Sequence, residues 1–142
     1  MIIPEIQYNC IIKSTLGEIG ETVQNVMEFV RCKCSVADES SLFYIKVILN
    51  ELLVNAVLHG NNGQKDKSVA LTVNLGENKS IHIEVEDEGN GYDYRLLMDD
   101  AYERCPCDIC DCTETGRGLL IIKKLSKKVM FNKNGNKITV IV

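Results

Sequence analysis

The chain predicts an α/β (more strictly α+β) two-layer sandwich, with a mixed, largely antiparallel sheet covered by helices on one face. Apolar residues recur at helical spacing in long segments and alternate in short ones. The short segments come in adjacent pairs joined by turns containing Gly and Asn, as antiparallel neighbours do. The length of 142 residues, without repeat or linker, suits one domain over 1–142.

Residues Glu5 to Lys13, with Ile6, Tyr8, Ile11 and Ile12, predict a first strand. Ser14 or Thr15 is placed to cap a helix running to about Cys32, in which Ile19, Val23, Val26, Met27 and Val30 share one face. Asp38 and Ser41 open a second helix whose core side carries Leu42, Ile45, Ile48, Leu49, Leu52 and Ala56, and Gly60-Asn61-Asn62-Gly63 stops it. Ser68 to Leu75 and Lys79 to Glu86 predict a hairpin. A third helix is expected from Gly116 through Leu119, Leu120, Ile122 and Leu125, followed by a closing hairpin of Val129–Asn132 and Lys137–Val142. Between them, Asp87 to Thr115 has no periodicity and is long enough to be functional rather than a plain connection.

Composition narrows the function classes. There are 16 Lys and Arg against 20 Asp and Glu, a formal charge of -4, so the overall field does not favour nucleic-acid phosphates. No basic leader precedes an apolar stretch at the N-terminus, and Leu49 to Leu58 is interrupted by Asn50, Glu51 and Asn55. The expectation is a cytoplasmic protein that is not embedded in a membrane.

Three polar groups stand out against apolar surroundings. Glu51, Asn55 and His59 recur every four residues on the second helix, where a carboxylate can take a proton and an amide oxygen can complete the shell of Mg²⁺ held by phosphates. The alternative is a solvated helix edge. Asp87-Glu88-Gly89-Asn90-Gly91 follows a strand, where an aspartate can accept from an exocyclic amine and glycines let backbone approach a planar ligand; the same letters also make an ordinary turn. Gly116-Arg117-Gly118 opens a helix whose free N–H groups suit an anion, or it is a plain helix start.

In this order, E-L-L-V-N-A-V-L-H-G, D-E-G-N-G and G-R-G-L-L-I-I resemble the N, G1 and G2 boxes of the GHKL (histidine-kinase-like) ATPase superfamily, and among its members the bacterial anti-sigma factor serine-protein kinases. The resemblance implies Glu51 as catalytic base, Asn55 as ligand of the Mg²⁺ that accompanies ATP, and Asp87 as holder of the adenine amine. It also implies Gly89 and Gly91 as hinges of an ATP lid at about 91–115. Gly116, Arg117 and Gly118 correspond to a phosphate-binding turn, and Thr139 to a residue that helps hold adenine through water. The function implied is phosphorylation of a Ser or Thr on an antagonist protein, with a sigma factor as second partner, no direct nucleic-acid contact and a homodimeric assembly.

The cysteines depart from that pattern. The chain has seven, and Cys105, Cys107, Cys110 and Cys112 fall within eight residues of the expected lid. Their spacing allows a Zn²⁺ or iron–sulfur site, with Cys32 and Cys34 as further candidates, or simply a reduced loop. Two other functions therefore stay open: a non-catalytic nucleotide-binding module, and a thiol or metal sensor on an ATPase scaffold.

Overall fold

Alternation of side chains along the strands decides which face of the sheet is covered. In a computed structural model describing residues 6–33, 38–76, 80–89 and 114–142, β1 (Ile6–Lys13), β2 (Ser68–Leu75), β3 (Ile81–Asp87), β4 (Lys128–Phe131) and β5 (Lys137–Ile141) form one sheet. The strand order is β1-β2-β3-β5-β4. Every neighbouring pair is antiparallel, so no parallel pair joins the sheet among the described residues. Val69, Leu71 and Val73 of β2, Ile81, Ile83 and Val85 of β3, and Ile138 and Val140 of β5 are buried on one face. Asp87 ends β3 on this same buried face, two residues beyond Val85.

Helices α1 (Ile19–Lys33), α2 (Glu39–Asn55) and α3 (Glu114–Leu125) complete the described helical part. The side chains expected to face the core of α1 and α2 do so, from Ile19 to Val30 and from Leu42 to Ala56. Each such side chain gains roughly 1.5–3 kcal/mol on full burial, which is the main force holding the layers together. Taken with the turn that follows it, α2 is long and apolar enough to cross a membrane by those two measures. Here Leu42, Ile45, Ile48, Leu49, Leu52 and Leu53 belong to the core, while Phe43 and Tyr44 are exposed.

Element ends differ from the sequence expectations in three places. Ser14 does not cap a helix: it is buried, and its Oγ accepts from Asn61 Nδ2 at 3.1 Å. Thr15 takes the cap position of a short 3-10 turn, Leu16–Glu18, without a side-chain bond, and α1 begins only after it. Asp38 does cap α2, accepting from Ser41 N–H at 2.7 Å, and this bond holds its carboxyl below the usual value. The second helix reaches Gly60 as expected, but its last turn, Ala56–Gly60, is a π turn closed by Asn61 N–H donating to Ala56 O at 2.8 Å. Finally, α3 starts at Glu114, ahead of the expected start at Gly116, so Gly116 and Arg117 lie within its first turn.

Candidate functional site

The site is assembled along the second half of α2. Glu51 is half-buried and Asn55 is 3% exposed, so the polar stripe is not a solvated edge. What faces it is α3. A β-carbon added to Gly118 would stand 2.6 Å from Glu51 Oε2 and 3.4 Å from Asn55 Nδ2, so any side chain here would have to push the Glu51 carboxylate aside. Asn55 Nδ2 is buried without a hydrogen-bond partner among the described residues. An orphaned amide costs about 1–3 kcal/mol when buried, so a polar group at this position of an otherwise apolar helix calls for an explanation other than packing.

At the far end of the same helix stands Asp87. A β-carbon on Gly60 would overlap its carboxylate, and one on Gly89 would overlap the Gly60 carbonyl. Three residues from two chain segments are thus in direct contact. Asp87 Oδ1 accepts from Gly89 N–H at 2.8 Å. Burial pushes the Asp87 carboxyl above its usual value and the charge of Glu86 adds to this, while the Gly89 N–H and the charge of Lys67 act the other way.

The turn after β3 is fixed from below by Asn61, which is wholly buried. Its Oδ1 accepts from Glu88 N–H at 2.8 Å and its Nδ2 donates to Ser68 O at 3.0 Å. Glu88 Oε2 in turn accepts from Ser68 N–H at 2.5 Å. Gly60 and Asn61 were legible in the sequence only as a helix stop. The signal for a larger role was a run of small and amide residues set directly against the end of an apolar helix.

Thr139 is not brought to this place. It pairs with Glu84 across β3 and β5, and both lie on the sheet face opposite Asp87, because Ile138 and Val140 on either side occupy the covered face. Gly116 and Arg117 lie in the first turn of α3, where backbone N–H groups lack intrahelical partners. Gly91, almost all of the expected lid and Cys105, Cys107, Cys110 and Cys112 fall outside the described residues, as does Cys34. Cys32 is exposed, and no group of three or more metal-ligating side chains occurs among the described residues.

Residues 12–142 match the family model of the histidine kinase-like ATPase domain. The chain belongs to that family. It is also similar to an anti-sigma F factor of Priestia megaterium, 27% identical over 85 residues, which are 60% of this chain and 56% of that protein. The chain thus matches little more than half the length of this curated relative. A histidine kinase-like ATPase domain implies ATP, ordinarily with Mg²⁺, and the residues present fit that pair. The unpartnered amide of Asn55 beside Gly118 can offer oxygen or nitrogen by a half-turn of its terminal group. The Asp87 carboxylate is a buried acceptor suited to an amine.

Proposed function

We propose that this histidine kinase-like ATPase domain is an anti-sigma-type protein kinase that transfers the γ-phosphate of ATP to a Ser or Thr hydroxyl of an antagonist protein. The observation that carries the reading is the placement of Glu51 and the orphaned Asn55 amide together against Gly118, with Asp87 at the other end of the same helix. Gly60 lies nine positions after Glu51, about 13 Å of helix at a rise of about 1.5 Å per residue. A nucleoside triphosphate laid along that length has its base at Asp87 and its terminal phosphate at Glu51.

In this mechanism the Asp87 carboxylate accepts from the exocyclic amine of the base, and the first-turn N–H groups of α3, at Gly116 and Arg117, receive phosphate oxygens. Magnesium, when bound, neutralises charge on the phosphates, and Asn55 is the side chain here with the oxygen to hold it. Glu51 takes the proton of the attacking hydroxyl as the new oxygen–phosphorus bond forms and the bond from the γ-phosphorus to the bridging oxygen breaks, leaving ADP. The partners proposed with this activity are a sigma factor and the phosphorylated antagonist, in a cytoplasmic, homodimeric setting, as the resemblance to anti-sigma factors implies.

The test is phosphate transfer from ATP to a candidate antagonist, with Glu51→Gln beside the wild type and nucleotide binding measured on both. Transfer lost while binding is kept supports the kinase. Equal transfer by the two proteins removes Glu51 as base, and binding of Mg-ATP without transfer to any antagonist favours a nucleotide-gated binding module.

A further inference from the structure

The peptide between Asp87 and Glu88 is held from both sides by asparagine amides. Its N–H, on Glu88, donates to Asn61 Oδ1 at 2.8 Å, and its carbonyl, on Asp87, accepts from Asn136 Nδ2 at 2.9 Å. Each amide is itself anchored. Asn61 Nδ2 donates to Ser14 Oγ and to Ser68 O, tying the end of β1 and the start of β2 to the turn after β3. Asn136 Oδ1 accepts from Asn132 Nδ2 at 2.7 Å, and its backbone carbonyl accepts from Asp87 N–H at 2.9 Å.

With both polar groups of one peptide plane paired, the torsions on either side of that plane cannot swing without breaking a bond. The torsion on its N-terminal side is ψ of Asp87, so the clamp fixes the backbone that carries the carboxylate. Gly89 N–H then holds Oδ1, and Oδ2 lies against Gly60. A fixed carboxylate does two things at once: it attracts an amine placed before it and repels a carbonyl oxygen placed there. A carboxylate free to turn aside does neither.

We propose that Asn61 and Asn136 are positioning residues whose clamp on the Asp87–Glu88 peptide sets the preference of the pocket for a purine bearing an exocyclic amine over one bearing an oxo group at the same position. This rests on Asp87 being the residue that receives the base. Neither asparagine touches the nucleotide; both act through Asp87.

The test is calorimetric titration of the full chain with Mg-ATP and with Mg-GTP, for wild type, Asn61→Ala and Asn136→Ala, with thermal unfolding of each. Loss of one neutral hydrogen bond corresponds to about a three- to tenfold change in an equilibrium constant. The ATP-to-GTP affinity ratio is expected to fall by that factor in each variant, through weaker ATP binding. A merely structural role lowers the active fraction for both nucleotides and leaves the ratio alone. Because Asn61 is buried, its variant can fail to fold; Asn136→Ala, in a partly exposed hairpin, then decides the matter. A selective wild type whose ratio survives in folded Asn136→Ala overturns the clamp only. A wild type that does not distinguish the nucleotides overturns the assignment of Asp87 and the clamp with it.

Discussion

From Leu42 to Leu49, helix α2 buries Leu42, Ile45, Ile48 and Leu49 in the core and leaves Phe43 and Tyr44 to solvent, 62% and 41% exposed. From Glu51 to Asn61 the same helix sinks polar groups into its buried side: Asn55 and Asn61 are almost or wholly inaccessible, and the regular hydrogen-bond pattern gives way to a π turn. The first half follows the ordinary rule that apolar burial holds helices on sheets. The second half departs from it wherever a side chain meets α3 or the turn after β3. The core side runs on through Leu52, Leu53 and Val57, so in this half apolar and polar side chains lie next to one another, and substitutions of the two kinds should separate folding from function.

The largest effect is expected at Glu51. Glu51→Gln keeps the shape of a half-buried side chain and removes the proposed base, so phosphate transfer should fall by about 10²- to 10⁴-fold with the melting temperature nearly unchanged. Single-turnover transfer and a melting curve on the same preparation check this. A comparable loss of stability would erase the contrast between polar and core side chains.

Leu52→Ala, one residue on but facing the core and fully buried, should do the reverse. It is expected to cost about 2–5 kcal/mol of unfolding free energy, read by denaturant titration, while the folded fraction binds ATP as before. Weakened nucleotide affinity in fully folded protein would show that core and site are not separable here.

Gly118→Ala probes the contact between α3 and the polar half. Alanine favours helix over glycine by about 1 kcal/mol, but its methyl must displace the Glu51 carboxylate, 2.6 Å away. Since that carboxylate is the far end of a flexible side chain, stability should hold or rise while transfer drops by roughly tenfold, the cost of a misplaced catalytic group of about 1.4 kcal/mol. Transfer at the wild-type rate would mean that Glu51 does not act from the position it holds in this structure.

How much of this was legible beforehand follows from the same contrast. Periodicity located the strands and helices, and the core faces of α1 and α2, because apolar burial is local in its signature: Val26, Val30, Ile45 and Ile48 recur at the helical period and are all wholly buried. The motif order led to Glu51, Asn55 and Asp87. Periodicity could not show that Gly60 abuts Asp87, that Asn61 ties together Ser14, Ser68 and Glu88, or that Ser14 leaves its capping role to serve this amide. Those contacts join residues as much as 47 apart in sequence, and a single amide carries no period. Thr139 shows the converse: its position in the last strand was legible, but the face it occupies depends on register, and a step of one residue reverses the face.

The smallest change in folding free energy that the series resolves is expected at Asp87, where function and stability should move in opposite directions. Burial raises its carboxyl pKa in the folded protein above the ordinary value of 3.8. The folded state therefore keeps this proton to higher pH than the unfolded chain does. As pH rises from below the unfolded value through the folded one, the unfolded state loses its proton first, and stability is lost over that interval. Above it, the folded protein carries a desolvated carboxylate. Asp87→Asn should thus match the wild type in melting temperature at pH below 3.8 and exceed it modestly near neutrality, since the amide oxygen can still accept from Gly89 N–H. Binding of ATP, which in the proposed pocket uses the ionised Asp87 as acceptor, should be lost in the variant and should strengthen in the wild type as pH climbs through the raised pKa. Melting curves of both proteins across that range, with and without Mg-ATP, read both effects at once. If the variant is no more stable than wild type near neutrality, Asp87 costs the fold nothing, and the polar end of α2 is better matched to its surroundings than the orphaned amide of Asn55 implies.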